Sequence, residues 1–147
     1  MSTFLGVYLK KTPIKENILN DLKKVKKHLE SSYTKVLKLK LSKELDDNSL
    51  ETFESFSSRF ARFSDILISK YLRLLAMEAD PAYRGSVVDL LNFSEKNGWI
   101  SSSQEFKKIR ELRNTASHDY SAENINDLYA ELIKSTPALL AVKFDAP

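Results

Sequence analysis

Residues 49–77 read SLETFESFSSRFARFSDILISKYLRLLAM. Leu50, Phe53, Phe56, Phe60, Phe63, Leu67, Tyr71, Leu74 and Met77 recur at steps of three and four, the spacing of one buried stripe on a long helix. Phenylalanines at this spacing make a core or a dimer seam more readily than a ligand box. Asp46-Asp47-Asn48 breaks the chain before the helix. Ala79-Asp80-Pro81 ends it, because a residue preceding proline is driven out of the helical region. Glycine is confined to Gly6, Gly85 and Gly98, and proline to Pro13, Pro81, Pro137 and Pro147. So few breakers predict an all-α protein.

Upstream, Thr12 can cap a helix and Pro13 suits its first turn. Ile14, Ile18, Leu22, Val25 and Leu29 form its inward stripe, with Lys15, Lys23, Lys26 and Lys27 opposite. The segment TKVLKLKL (34–41) alternates with period two. A lone strand would leave its backbone unpaired, so the segment reads as the end of the first helix or as a second, short one. Downstream, residues 86–97 form a short helix with Val87, Leu90 and Leu91 inward and Gly98 as its stop. Ser102 and Glu105 have capping-box spacing and open a helix through Phe106, Ile109, Leu112 and Ala116. A last helix spans about residues 122–134, with Ile125, Leu128, Tyr129 and Leu132 inward, until Pro137 interrupts; 138–144 is an apolar tail or an extension of that helix. Short connections make one domain over 1–147, an up-and-down bundle of four to five helices.

Cysteine is absent and only His28 and His118 are present, which excludes disulfides, thiolate metal sites and a cysteine nucleophile. The first residues lack the pattern of a signal peptide and no stretch has the length of a membrane span, so a cytoplasmic protein with no membrane partner is expected. Charge is uneven. Residues 1–43 carry eleven lysines and three acids, whereas 44–147 carry twelve basic and seventeen acidic residues. A basic N-terminal third suits RNA or an acidic partner, and equally a solvated helix face. His28, beside Lys26 and Lys27, reads as solvated.

The segment 110–120, RELRNTASHDY, carries the chemistry. Asn114 and His118 share one helix face, and Arg113, Ser117 and Tyr120 the neighbouring stripe. Arg113 and His118 diverge by about 140°, so one helix offers a broad polar flank that a twofold partner could complete. Histidine moves protons near neutral pH. Arginine offers a planar, permanently charged fork for phosphate oxygens, and asparagine can orient a phosphate or a 2′-hydroxyl. Together they suit metal-free cleavage of RNA by its own 2′-oxygen. By spacing alone, the same residues also suit ordinary surface hydrogen bonds, since short motifs match often by chance.

Residues 109–120, and Arg113-Asn114 with His118 and Tyr120 in particular, resemble the signature of HEPN proteins (higher eukaryote and prokaryote nucleotide-binding domains). Within that family the Arg-x4-His-x-Tyr pattern is most similar to HepT-like toxins. The Phe-rich segment 53–67 resembles the second helix of this group. The likeness spans most of residues 10–135, with 113–120 as its specific part. It implies a dimerising bundle of four to five helices whose paired motifs share one cleft, and a metal-independent endoribonuclease toxin needing no cofactor. Arg113 and His118 would be catalytic and Asn114 would support them. A minimal nucleotidyltransferase antitoxin would silence the toxin by adenylylating Tyr120. The alternative within the same likeness is a non-catalytic module that docks the nucleotidyltransferase.

Overall fold

The computed structural model describes residues 12–42, 44–117 and 124–144. Among these, every regular element is helical, as expected. The elements are α1 (Pro13–Val36), α2 (Asp47–Asp65), a π-helical segment (Ile66–Leu72), α3 (Arg73–Ala79), α4 (Val87–Lys96), α5 (Ser103–Ala116) and α6 (Ile125–Leu140). α2, the π segment and α3 follow one another without a break, so the described chain is an all-α bundle of five helical rods.

Four helix starts have a local cause. The Thr12 hydroxyl accepts the Lys15 N–H at 3.1 Å, with Pro13 in the first turn. The Asp46 carboxylate accepts the Ser49 N–H at 2.7 Å, so the helix opens at Asp47, two residues before the expected Ser49. The Ser102 hydroxyl caps α5 through the Glu105 N–H. The reciprocal capping box forms instead at Ser86 and Asp89, opening α4. That helix ends as expected at Gly98, whose φ of 76° lets the Gly98 N–H reach the Glu95 carbonyl and the Trp99 N–H the Ser94 carbonyl.

The first rod, α1, runs antiparallel to the rod formed by α2, the π segment and α3. Lys15 at the start of α1 bonds Glu78 at the end of α3 at 3.0 Å, while Tyr33 near the other end of α1 stacks on Phe56. The core is continuous, centred on Phe53, Phe56, Phe60, Phe63, Tyr129 and Phe106, all fully buried. Phe53 stacks on Tyr129 with centroids 4.9 Å apart, which joins α2 to α6.

Four expectations are corrected. Ile14 is 67% exposed and Lys15 is buried, the reverse of the sequence reading. The buried line of α1 runs through Lys15, Leu19, Leu22, Val25, Leu29, Ser32 and Val36, entering at Lys15, which pairs with Glu78, and Ile14 lies ~100° from Lys15. Residues 37–41 are neither helix nor strand. They turn through Leu37, Lys38 and Leu39 N–H bonds to carbonyls three or four residues back, with Leu39 and Leu41 half-buried. Met77 is 42% exposed and Leu74 only half-buried. The i→i+5 bonding of the π segment widens the turn, so positions four apart stay aligned and the buried line becomes Ser64, Ile68, Leu72 and Ala76.

The fourth correction is Pro137, which lies inside α6 rather than interrupting it, while the tail extends the helix as far as Leu140, one of its two readings. Proline leaves the Ile133 carbonyl without its intrahelical donor. One residue earlier the buried Thr136 hydroxyl donates to the Leu132 carbonyl at 2.7 Å, a bond that bends helices and eases the ring into place. The chain beyond then folds onto its own core. Val142 and Phe144 are buried, and the Phe144 ring packs against Phe63 and Tyr71 at 6.3 and 6.2 Å.

Candidate functional site

The motif helix α5 lies against the C-terminal half of α2. Its last turn brings Arg113 over Asp65, forty-eight residues earlier in the chain. The Arg113 Nε donates to one Asp65 carboxylate oxygen at 2.6 Å and a terminal nitrogen donates to the other at 2.7 Å, a two-pronged fork. The second terminal nitrogen donates to the Ser117 hydroxyl at 2.8 Å, and that hydroxyl donates to the Arg113 carbonyl. Arg113 and Ser117 thus meet on one stripe, as their spacing predicted. The hydrogen bonds and charge of Asp65 hold the Arg113 guanidinium above the usual arginine range, so it stays charged at any working pH.

Among the described residues, three of the five guanidinium N–H groups are engaged and two remain for an incoming oxygen. Asn114 is half-buried and lines the same cleft of about 420 Å³, with Arg110, Lys70 and Ser69. A second cleft of about 520 Å³ adjoins it, sharing Asp65, Ile66 and Lys70 and adding Asp21, Lys24, His28 and Arg62. The two clefts together present five cationic side chains against the carboxylates of Asp21 and Asp65. Of the motif, Arg113, Asn114 and Ser117 are brought together here; His118 and Tyr120 lie outside the described residues.

Asp65, Lys70 and Arg62 escaped the sequence reading because they sit on a helix read for its apolar stripe alone. Their signal was present as the charged positions interleaved in FARFSDILISK (60–70). His28, read as solvated, is exposed but lines the second cleft. Among the described residues no helix is long and apolar enough to cross a membrane. No protein-family model, curated protein or solved structure matches the chain.

Proposed function

We propose that this protein is an HEPN-like, metal-independent endoribonuclease of HepT-like toxin type, acting through Arg113, Asn114 and His118. The observation that carries the reading is the Arg113 fork, oriented by Asp65 and Ser117 and keeping two N–H groups over a basic cleft. An arginine fixed from behind loses little further freedom when it meets a phosphate, and its remaining donors reach charge growing on the non-bridging oxygens.

In the proposed reaction the ribose 2′-oxygen attacks the adjacent phosphorus. The O2′–P bond forms and the P–O5′ bond breaks, leaving a 2′,3′-cyclic phosphate and a 5′-hydroxyl. His118 moves the proton, taking it from the 2′-hydroxyl or giving it to the departing 5′-oxygen. Asn114 orients the ribose or the phosphate. Two copies of the motif share the cleft in a homodimer. A nucleotidyltransferase partner silences the site by adding AMP to Tyr120, which sets bulk and negative charge where the RNA phosphate must sit.

The salt bridge also favours a second reading. Asp65 offsets much of the Arg113 charge, as suits a module that presents Tyr120 to a nucleotidyltransferase and cuts nothing. One experiment separates the two: incubation of purified tRNA and total RNA with wild type and His118→Ala, EDTA present throughout. Cleavage by wild type alone supports the nuclease. Cleavage by neither, with AMP transfer to Tyr120 by the partner enzyme, supports the docking module.

A further inference from the structure

The α1 side of the rod carries a feature the motif does not account for. A third cleft of about 350 Å³, lined by Ser55, Ser58 and Arg59, shares Val25, His28 and Arg62 with the second. The second in turn shares Asp65, Ile66 and Lys70 with the Arg113 cleft. The three therefore form one groove, which follows the α1–α2 seam and crosses the π segment to α5.

Arg59 is a strut in its wall, donating to the His28 carbonyl at 3.1 Å and to the Ser32 hydroxyl at 2.8 Å. Among the described residues, Lys24, Arg62, Lys70 and Arg110 have no hydrogen-bond or ion-pair partner, yet all four line the groove. Arg62 and Lys70 are eight residues apart, about two turns along the rod, so they address different phosphates rather than one. Asp21 and Asp65 interrupt the cations. Carboxylates repel phosphate but accept hydrogen bonds from a 2′-hydroxyl or a base amino group, which singles out ribose over deoxyribose. Val25 and Ile66 give the groove an apolar floor on which an unpaired base can rest.

We propose that this groove binds single-stranded RNA, with Lys24 and Arg62 holding backbone phosphates on the approach to Arg113. The proposal rests on the RNA-directed reading above and adds to it substrate-positioning residues and a strand path. It is an electrostatic site, so its mark is salt dependence. For single strands the slope of log affinity against log salt is about −0.7 for each phosphate neutralised.

The test is fluorescence anisotropy of a labelled, unpaired 20-nucleotide RNA across a range of KCl concentrations. The full chain carries His118→Ala in every sample, so that the probe stays whole. Lys24→Glu/Arg62→Glu is compared with Lys38→Glu/Lys40→Glu, which makes the same change of net charge at exposed positions outside the groove. Circular dichroism melting verifies that each variant is folded. Losing two phosphate contacts flattens the slope by about 1.4 and weakens binding about 25-fold at 0.1 M salt, while the control pair changes far less. Equal loss in both pairs, or RNA affinity unchanged in the groove pair, overturns the proposal. So does a groove pair that loses binding to polyglutamate while keeping RNA, which would mark a surface for acidic protein.

Cleavage is scored separately on proteins with His118 intact. A wild type that cuts nothing, with RNA binding lost only in the groove pair, refutes the nuclease and leaves the groove standing. A wild type that cuts, with unchanged binding in the groove pair, refutes the groove alone.

Discussion

Asp65→Asn separates what the salt bridge does for the fold from what it does for the site. The replacement keeps the shape and one acceptor oxygen, removes the charge, and sets an amide N–H₂ against a guanidinium N–H. The side chains are 31% exposed for Arg113 and 45% for Asp65, so solvent screens the pair and its loss destabilises by about 1 kcal/mol at most. In a chain of this size that is a fall of roughly 3 °C in melting temperature. The effect on RNA runs the other way. A phosphate meeting the free edge of Arg113 would lie about 6 Å from the removed carboxylate, where the repulsion is ~0.7 kcal/mol in water and ~2.8 kcal/mol at an effective dielectric of 20. Physiological salt reduces either figure by about half. Asp65→Asn should therefore bind RNA roughly two- to tenfold more tightly, yet cut it more slowly at saturation, because the fork is no longer held in one orientation. Anisotropy titration in the His118→Ala background reads the first effect, and single-turnover cleavage the second. Weaker RNA binding at every salt concentration would refute the reasoning, since Arg113 could not then be facing phosphate with Asp65 behind it.

Three further expectations concern the frame of the site. Phe53→Ala removes a fully buried ring stacked on Tyr129 and should cost about 3–5 kcal/mol in urea unfolding; a loss below 1 kcal/mol would mean that α2 and α6 are not joined there. Gly98→Ala meets no atom within 4 Å, so its cost is the backbone strain of a positive φ alone, about 1–2 kcal/mol by the same measurement, and a neutral result would contradict the left-handed stop of α4. The Asp46 carboxyl is held below its ordinary value of 3.8 by the Ser49 N–H. Its stabilising effect is present above that value and is lost as pH falls through the lower, folded one. Asp46→Asn keeps the acceptor without the titration, so wild type should lose more melting temperature than the variant between pH 6 and pH 2, and equal losses would refute the cap.

Helix content and some caps were legible because each rests on a local rule. Thr12-Pro13, Ser102 and Gly98 act within a few residues of themselves, and Phe53 to Phe63 keep a strict helical period; Asp46, read as part of a break, and Ser86, read as a helix start, are caps the pattern did not name. What failed was phase. Ile14 and Lys15 exchanged places because an apolar residue and a long amphipathic one both fit a helix edge, and only the partner Glu78 decides which turns inward. Pro137 broke no helix because relief comes from the Thr136 hydroxyl, which pattern reading treats as merely polar. At the site, Arg113 and Asn114 were legible as chemistry through their spacing. Asp65 was not, since nothing local couples positions forty-eight residues apart.

The π segment ties these failures to the site. ILISKYL contains neither glycine nor proline, so no breaker announces it and a regular α-helix is the economical reading. Its wider turn does two things at once. On the inner side it carries the buried line onto Ile68, Leu72 and Ala76, leaving Met77 outside. On the outer side Ile66, Ser69 and Lys70 reach the cleft where Asp65 meets Arg113. A regular helix over these residues would rotate each later position relative to Asp65, and could not keep both the core line and the cleft lining in place. Irregular helical turns recur at functional sites for this reason: the core fixes where the rod must face, and an added residue per turn is the remaining way to re-aim its polar side. The distortion therefore serves both sides of the rod, the core line on one and the cleft lining on the other.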